Sequence, residues 1–134
     1  MGDVNVGEIL EATTDAQVED YVDRVRGMDY YDNGIFFSEG FAFCRLCDHF
    51  KVNVILESGT CYGSSTEIFA RYFEGRGIRI RTVDLAQRDF VRQRLSRFGD
   101  VELIDGDSFK EIPRLLQEME REGERGGGSG GDLD

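Results

Sequence analysis

The sequence predicts an α/β fold built on three parallel strands with helices between them. Two observations carry this prediction. Short, β-branched apolar runs start near residues 52, 78 and 101, and each is followed by a segment whose apolar residues recur at helical spacing. Glycine-bearing turns mark the boundaries. Alternation of this kind implies parallel strands joined by right-handed crossovers. The strand starts are 26 and 23 residues apart, which suits compact strand–helix units. The chain has 134 residues, so it is at most one domain of roughly 100–200 residues.

Each element has its own warrant. Residues 1–7 read as a loose start, and residues 8–27 as helix broken near Thr13 and Thr14. Val18, Val22 and Val25 recur at helical spacing with Tyr21 beside them, and Thr14 with Gln17 makes a capping box. Tyr30 to Gly34 reads as a turn, because Asn33-Gly34 tolerates positive φ. Ser38, Glu39 and Gly40 open a helix to about Phe50, with Phe41, Leu46, Cys47 and Phe50 available for burial. Val52 to Leu56 is nearly all apolar, as a parallel strand covered on both faces would be. Ser58 to Gly63 is a turn, and Ser64 to Phe73 a helix carrying Ile68, Phe69 and Tyr72. Ile78–Val83 reads as the second strand, Gln87–Phe98 as helix, Val101–Ile104 as the third strand and Ser108 to about Glu122 as the last helix. Pro113 falls in its first two turns, where a missing donor costs least. From Gly123 the chain is glycine-rich and reads as a flexible tail. The expected divisions are therefore a helical segment 1–50, a sheet-bearing half-domain 51–122 and a tail 123–134.

Charge narrows the classes of function. Sixteen basic against 27 acidic residues give a formal charge of −11. Only residues 51–99 are net positive, and acidic segments flank them. Arg79 and Arg81 alternate on the second strand, while Arg88, Arg92 and Arg97 share one helix with Arg94 to the side. Their plainest reading is solvated faces whose stems cover apolar surface. No nucleic-acid partner is expected, because no recognised motif accompanies them. No membrane is expected either, since no run approaches the roughly 18 apolar residues of a span. Three cysteines, an odd number, suggest reduced thiols and a cytoplasmic protein. Cys44 and Cys47 form a C-x-x-C near His49, but inside a predicted helix among phenylalanines. They read as buried structural thiols, and no metal is expected.

The richest segment is Val54 to Thr66, where a strand ends in Glu57-Ser58-Gly59 and a helix opens after Gly63. Gly59 permits a tight turn and close approach of a ligand. The free amides at the helix start, with the hydroxyls of Ser64 and Ser65, suit an anionic group. Glu57 suits an ammonium or a ribose. Asp84 ends the second strand, 27 residues after Glu57, where a carboxylate commonly accepts ribose hydroxyls. Asp105-Gly106-Asp107-Ser108 ends the third. All three clusters lie at the carboxyl ends of parallel strands, where open α/β sheets bind ligands.

These three registered clusters resemble the class I S-adenosylmethionine-dependent methyltransferases. The turn Gly59-Thr60-Cys61-Tyr62-Gly63-Ser64-Ser65 is most similar to the small-molecule O-methyltransferase branch, although a common form of that family has glycine where Cys61 stands. The resemblance covers about residues 51–117. It implies a Rossmann-like sheet of order 3-2-1, S-adenosylmethionine as cofactor and methyl transfer to a small-molecule hydroxyl. It also implies roles. Glu57 would hold the methionine end of the cofactor, directly or through water. Gly59, Thr60, Gly63 and Ser65 would line it, Asp84 would bind the ribose, and Asp107 and Ser108 would sit by the adenine.

The family fold has more strands than this chain, so the resemblance implies truncation after the third strand. No catalytic base can be assigned, because the family's acceptor-side positions lie beyond that strand. The strand from Val52 would lose a neighbour and keep a bare edge, which invites pairing with a second copy. Two alternatives follow. One is a non-catalytic fragment or dimerising interaction module. The other is an NAD-dependent dehydrogenase-like domain, which would want G-x-G-x-x-G; Gly59 to Gly63 lacks the second glycine and has other spacing.

Overall fold

The computed structural model describes residues 5–30 and 34–130, and the side chains of that range up to residue 123. Asn5 caps the first helix, α1 (Val6–Glu11), by accepting the Glu8 N–H. The break before the second helix, α2 (Asp15–Val25), falls where the sequence placed it. Thr14 Oγ1 accepts the Gln17 N–H at 3.2 Å, and Gln17 Oε1 accepts the Thr14 N–H at 2.9 Å. Of the expected apolar face only Tyr21 and Val25 are buried; Val18 and Val22 stay exposed. Residues Tyr31, Asp32 and Asn33 of the expected turn lie outside the described residues.

Helix α3 (Phe37–Phe50) ends at Lys51, whose φ of 54° is left-handed. The Val52 N–H then bonds back to Cys47 O at 3.0 Å. Val52 therefore closes α3 instead of opening a strand, and β1 runs Val54–Ser58, two residues later than the sequence reading. Phe50, expected in the core, is exposed. Next come α4 (Ser64–Tyr72), β2 (Arg79–Asp84), α5 (Asp89–Leu95), β3 (Val101–Asp105) and α6 (Ser108–Gly130). Helix α5 is shorter than Gln87–Phe98 because Gln87 is tied to the strand ends, as described below. Helix α6 continues past Glu122, so no break in the main chain marks the expected start of a tail at 123. Residues 131–134 lie outside the described residues.

The strands form one parallel sheet in the order β1-β2-β3. This is the predicted order read from the other edge. Register places Glu57 opposite Thr82 and Asp84 opposite Asp105, so the acidic strand ends stand side by side. Ile68 and Phe69 of α4, Phe73 at its C-cap, Ile80 of β2 and Val91 and Leu95 of α5 make the core on one side of the sheet. On the other side Arg81 is buried rather than solvated. It pairs with Glu102 at 2.9 Å and with Glu118 of α6 at 3.3 Å. Among the described residues β1 pairs with β2 alone. Beside its open edge is a cleft of about 290 Å³ lined by Ile35, Phe43, Ile55, Leu56 and Phe69. No helix among the described residues is long and apolar enough to cross a membrane.

Candidate functional site at the carboxyl ends of the strands

The main chain between β1 and α4 takes three left-handed steps in five residues: Gly59 at φ 87°, Cys61 at 53° and Gly63 at 84°. Cys61 thus occupies a conformation that glycine adopts without cost. The Gly59 N–H extends the β1–β2 ladder by bonding Val83 O at 2.7 Å, and the Gly63 N–H closes the turn on Thr60 O at 2.8 Å. A Cβ built on Gly59 meets no atom within 4 Å, so the space in front of it is open.

Glu57 stands at the base of this space. Its Oε1 accepts Thr82 Oγ1–H at 2.7 Å and also the Thr66 hydroxyl. No donor among the described residues reaches Oε2. Burial pushes the carboxyl above its ordinary value; the two hydroxyls oppose that shift, and the charge of Asp84 adds to it. A half-buried carboxylate with one oxygen lacking a donor suits a cationic ligand group.

Asp84 faces the turn. Its Oδ2 accepts the Cys61 N–H at 2.8 Å and its Oδ1 accepts the Leu85 N–H at 2.9 Å. A carboxylate offers about four lone-pair sites, so each oxygen can accept a further hydroxyl. Thr60 is placed differently from a lining residue. Its side chain is buried, with Oγ1 2.6 Å from Thr82 Oγ1 and accepting Gln87 Nε2–H at 2.8 Å. Ser65 Oγ accepts the Ile35 N–H at 3.1 Å and so fastens the segment before α3 to α4. Asp107 caps α6 by accepting the Phe109 N–H at 2.9 Å. Ser108 Oγ accepts a bond from Ser58 Oγ at 2.8 Å, joining the ends of β1 and α6. Glu57, Gly59, Gly63 and Asp84 therefore converge, with Asp107 and Ser108 on the adjoining strand end, while the Thr60 hydroxyl supports the site from beneath.

Two residues escaped the sequence reading. Gln87 donates through Nε2 to Thr60 Oγ1, to Thr82 O at 3.3 Å and to Ile104 O at 3.1 Å, and its N–H bonds Asp105 Oδ1 at 2.8 Å. Thr82 joins this group to Glu57. Thr82 was discoverable as the residue two before Asp84, on the same face of the strand. Gln87 carried no signal, because its partners come from three different segments. Among the described residues the arginines around the site are engaged by other groups. Arg92 pairs with Asp105, Arg94 with Glu67, and Arg88 lies 4.6 Å from the Tyr62 ring centroid. No cluster of metal-binding residues occurs among the described residues.

No family model matches the sequence, and no curated protein matches it. Solved structures do match. Cofactor-bound Rv0187 from MTB aligns with a TM-score of 0.53 and 22% identity over 84% of this chain. The SAH-bound Podospora anserina methyltransferase PaMTH1 aligns with a TM-score of 0.52 and 18% identity, again over 84%. The chain shares the α/β fold of these structures, one of which is a methyltransferase. The chain spans 56% of the length of each of these structures. At such identities the likeness is one of architecture.

Proposed function

We propose that this chain is the cofactor-binding part of an S-adenosylmethionine-dependent methyltransferase that acts on a small-molecule hydroxyl. One observation carries the reading: among the described residues no donor reaches Glu57 Oε2 at the end of β1, the space in front of Gly59 two residues on is open, and the Asp84 carboxylate holds the same turn through the Cys61 N–H. These residues fit the cofactor. Glu57 suits the ammonium of its methionine end, Gly59 leaves room for close approach, and the spare lone pairs of Asp84 suit ribose hydroxyls. Asp107 and Ser108 suit the neighbourhood of the adenine. The bound cofactor would supply an electrophilic methyl group on a sulfonium. The chain's own residues bind and orient it; no residue here is assigned as the base that takes the acceptor's proton. The odd number of cysteines suits a reducing, cytoplasmic setting.

Thermal melting with S-adenosylmethionine tests this, with NAD as control. Binding at 100 times the dissociation constant should add about 2.7 kcal/mol of stability. A shift with S-adenosylmethionine alone supports the reading; a shift with NAD alone replaces it with a dehydrogenase-like one. A cooperative melt that neither ligand moves would reject both.

The unpaired edge of β1 favours a second reading, an interaction module that pairs with a second copy of itself. Light scattering decides it: a monomer at all concentrations would remove edge pairing.

A further inference from the structure

Glu67 is 1% exposed, on the first turn of α4, directly behind the glycine turn. A buried carboxylate needs a partner, and this one has several. Arg71 Nε lies 2.7 Å from Oε2, Arg94 Nε lies 2.7 Å from Oε1, and Arg97 approaches Oε2 at 4.0 Å. Arg71, one turn along the same helix, already supplies a close ion pair. Arg94 comes from α5 and does something Arg71 does not. Its Nη2 donates to the main-chain oxygen of Tyr62, inside the turn. The same nitrogen would lie 2.9 Å from a Cβ on Gly63, so the guanidinium sits flush against the turn's last glycine.

We infer that the Glu67–Arg94 pair is a clamp that positions the turn Gly59–Gly63 for the cofactor. The turn needs such a device. Between two glycines, Cys61 holds a left-handed φ of 53°, a region that a non-glycine residue populates sparsely and keeps only where the surroundings over-determine it. Asp84 holds it from the sheet side through the Cys61 N–H, and Arg94 holds it from the helix side through the Tyr62 carbonyl. Arg94 is held in turn by the charge of Glu67, whose Oε1 lies 2.7 Å from its Nε in an ion pair without hydrogen-bond alignment, while Nη2 bonds the Tyr62 carbonyl. The buried acid thus acts on the ligand site through Arg94; both are positioning residues.

This inference rests on the cofactor reading above, and its test separates the two. Arg94→Gln and Arg71→Gln each remove one close partner of Glu67, but only the first frees the Tyr62 carbonyl. Titration calorimetry with S-adenosylhomocysteine should show about a tenfold or greater loss of affinity for Arg94→Gln and less than about twofold for Arg71→Gln, as expected for one charge-assisted bond. Hydrogen exchange without ligand should show faster exchange at the Cys61 and Gly63 amides in Arg94→Gln alone. If Arg94→Gln does not melt cooperatively, Arg94→Lys and Arg71→Lys serve instead. Lysine restores the charge beside Glu67 without the fork, so Arg94→Lys should recover melting temperature more than affinity. Equal loss of affinity in both variants, or unchanged exchange at the turn, would overturn the clamp. A wild-type protein that binds no S-adenosylhomocysteine would overturn the cofactor reading, while the exchange comparison would still decide the clamp.

Discussion

The Asp84 carboxylate accepts the Cys61 N–H at 2.8 Å, so the acid that ends β2 holds the turn that follows β1. A residue expected to serve a ligand also organises the backbone that the ligand would approach. Substitution at Asp84 would therefore disturb the turn as well as the ribose position. Cleaner tests lie at neighbouring residues.

The two outer glycines of the turn should respond differently. Both have left-handed φ, so alanine at either should cost about 1–2 kcal/mol in backbone strain. At Gly59 the added methyl meets nothing within 4 Å. At Gly63 it meets Arg94 Nη2 at 2.9 Å, Val91 Cγ1 at 3.2 Å and Leu95 Cδ1 at 3.3 Å, and overpacking adds roughly another 1–3 kcal/mol. Urea unfolding should rank Gly63→Ala well below Gly59→Ala. Gly59→Ala should instead lose the S-adenosylmethionine-dependent rise in melting temperature.

Glu57 should impose a pH dependence of definite sign. Burial raises its carboxyl above the ordinary value, so the native state holds the proton where the unfolded chain has released it. Stability then falls as pH rises from the ordinary carboxyl value to the raised one. Glu57→Gln should remove that slope, measured by urea unfolding across the acidic range. A cationic ligand favours the ionised carboxylate, so S-adenosylmethionine affinity should rise with pH over the same window and flatten in Glu57→Gln.

Gln87→Leu should be costly despite the similar size. It withdraws the Nε2 donor from Thr60 Oγ1, Thr82 O and Ile104 O, all at the strand ends. The loss of these hydrogen bonds costs about 0.5–1.5 kcal/mol each, which urea unfolding would register. Thr60 and Thr82 also lose part of their shared network, so ligand affinity should fall with stability.

Thiol reactivity should order the cysteines. Cys44 is fully buried and its thiol is pushed far up by that burial; Cys47 is half-buried and pushed up for the same reason. Cys61 is partly accessible within the turn. A thiol-specific reagent at neutral pH should modify Cys61 first and leave Cys44 intact until urea unfolds the chain. Mass spectrometry of the modified peptides would check the order.

Alternation and strand-end chemistry are legible in the sequence itself. Parallel strands, the capping box at Thr14 and the placement of Glu57, Asp84 and Asp107 at strand ends depend on local spacing, which one chain displays directly. Boundaries were less legible. Val52 looked like the first strand residue, yet its N–H bonds Cys47 O, a competition that composition does not reveal. Phe50 and Val18 look like core residues by type but stay exposed, because burial depends on which neighbour arrives.

By itself the sequence determined the order of elements and the acids at the ends of the strands, because periodicity and turn chemistry act over a few residues. Only the tertiary structure decided what those groups touch. Thr60 turns inward to Gln87, Arg81 is buried between Glu102 and Glu118, and Arg94 spans Glu67 and the Tyr62 carbonyl. Each of these pairings joins residues 21 or more positions apart, and their partners meet only when parallel strands and crossover helices bring separate segments together.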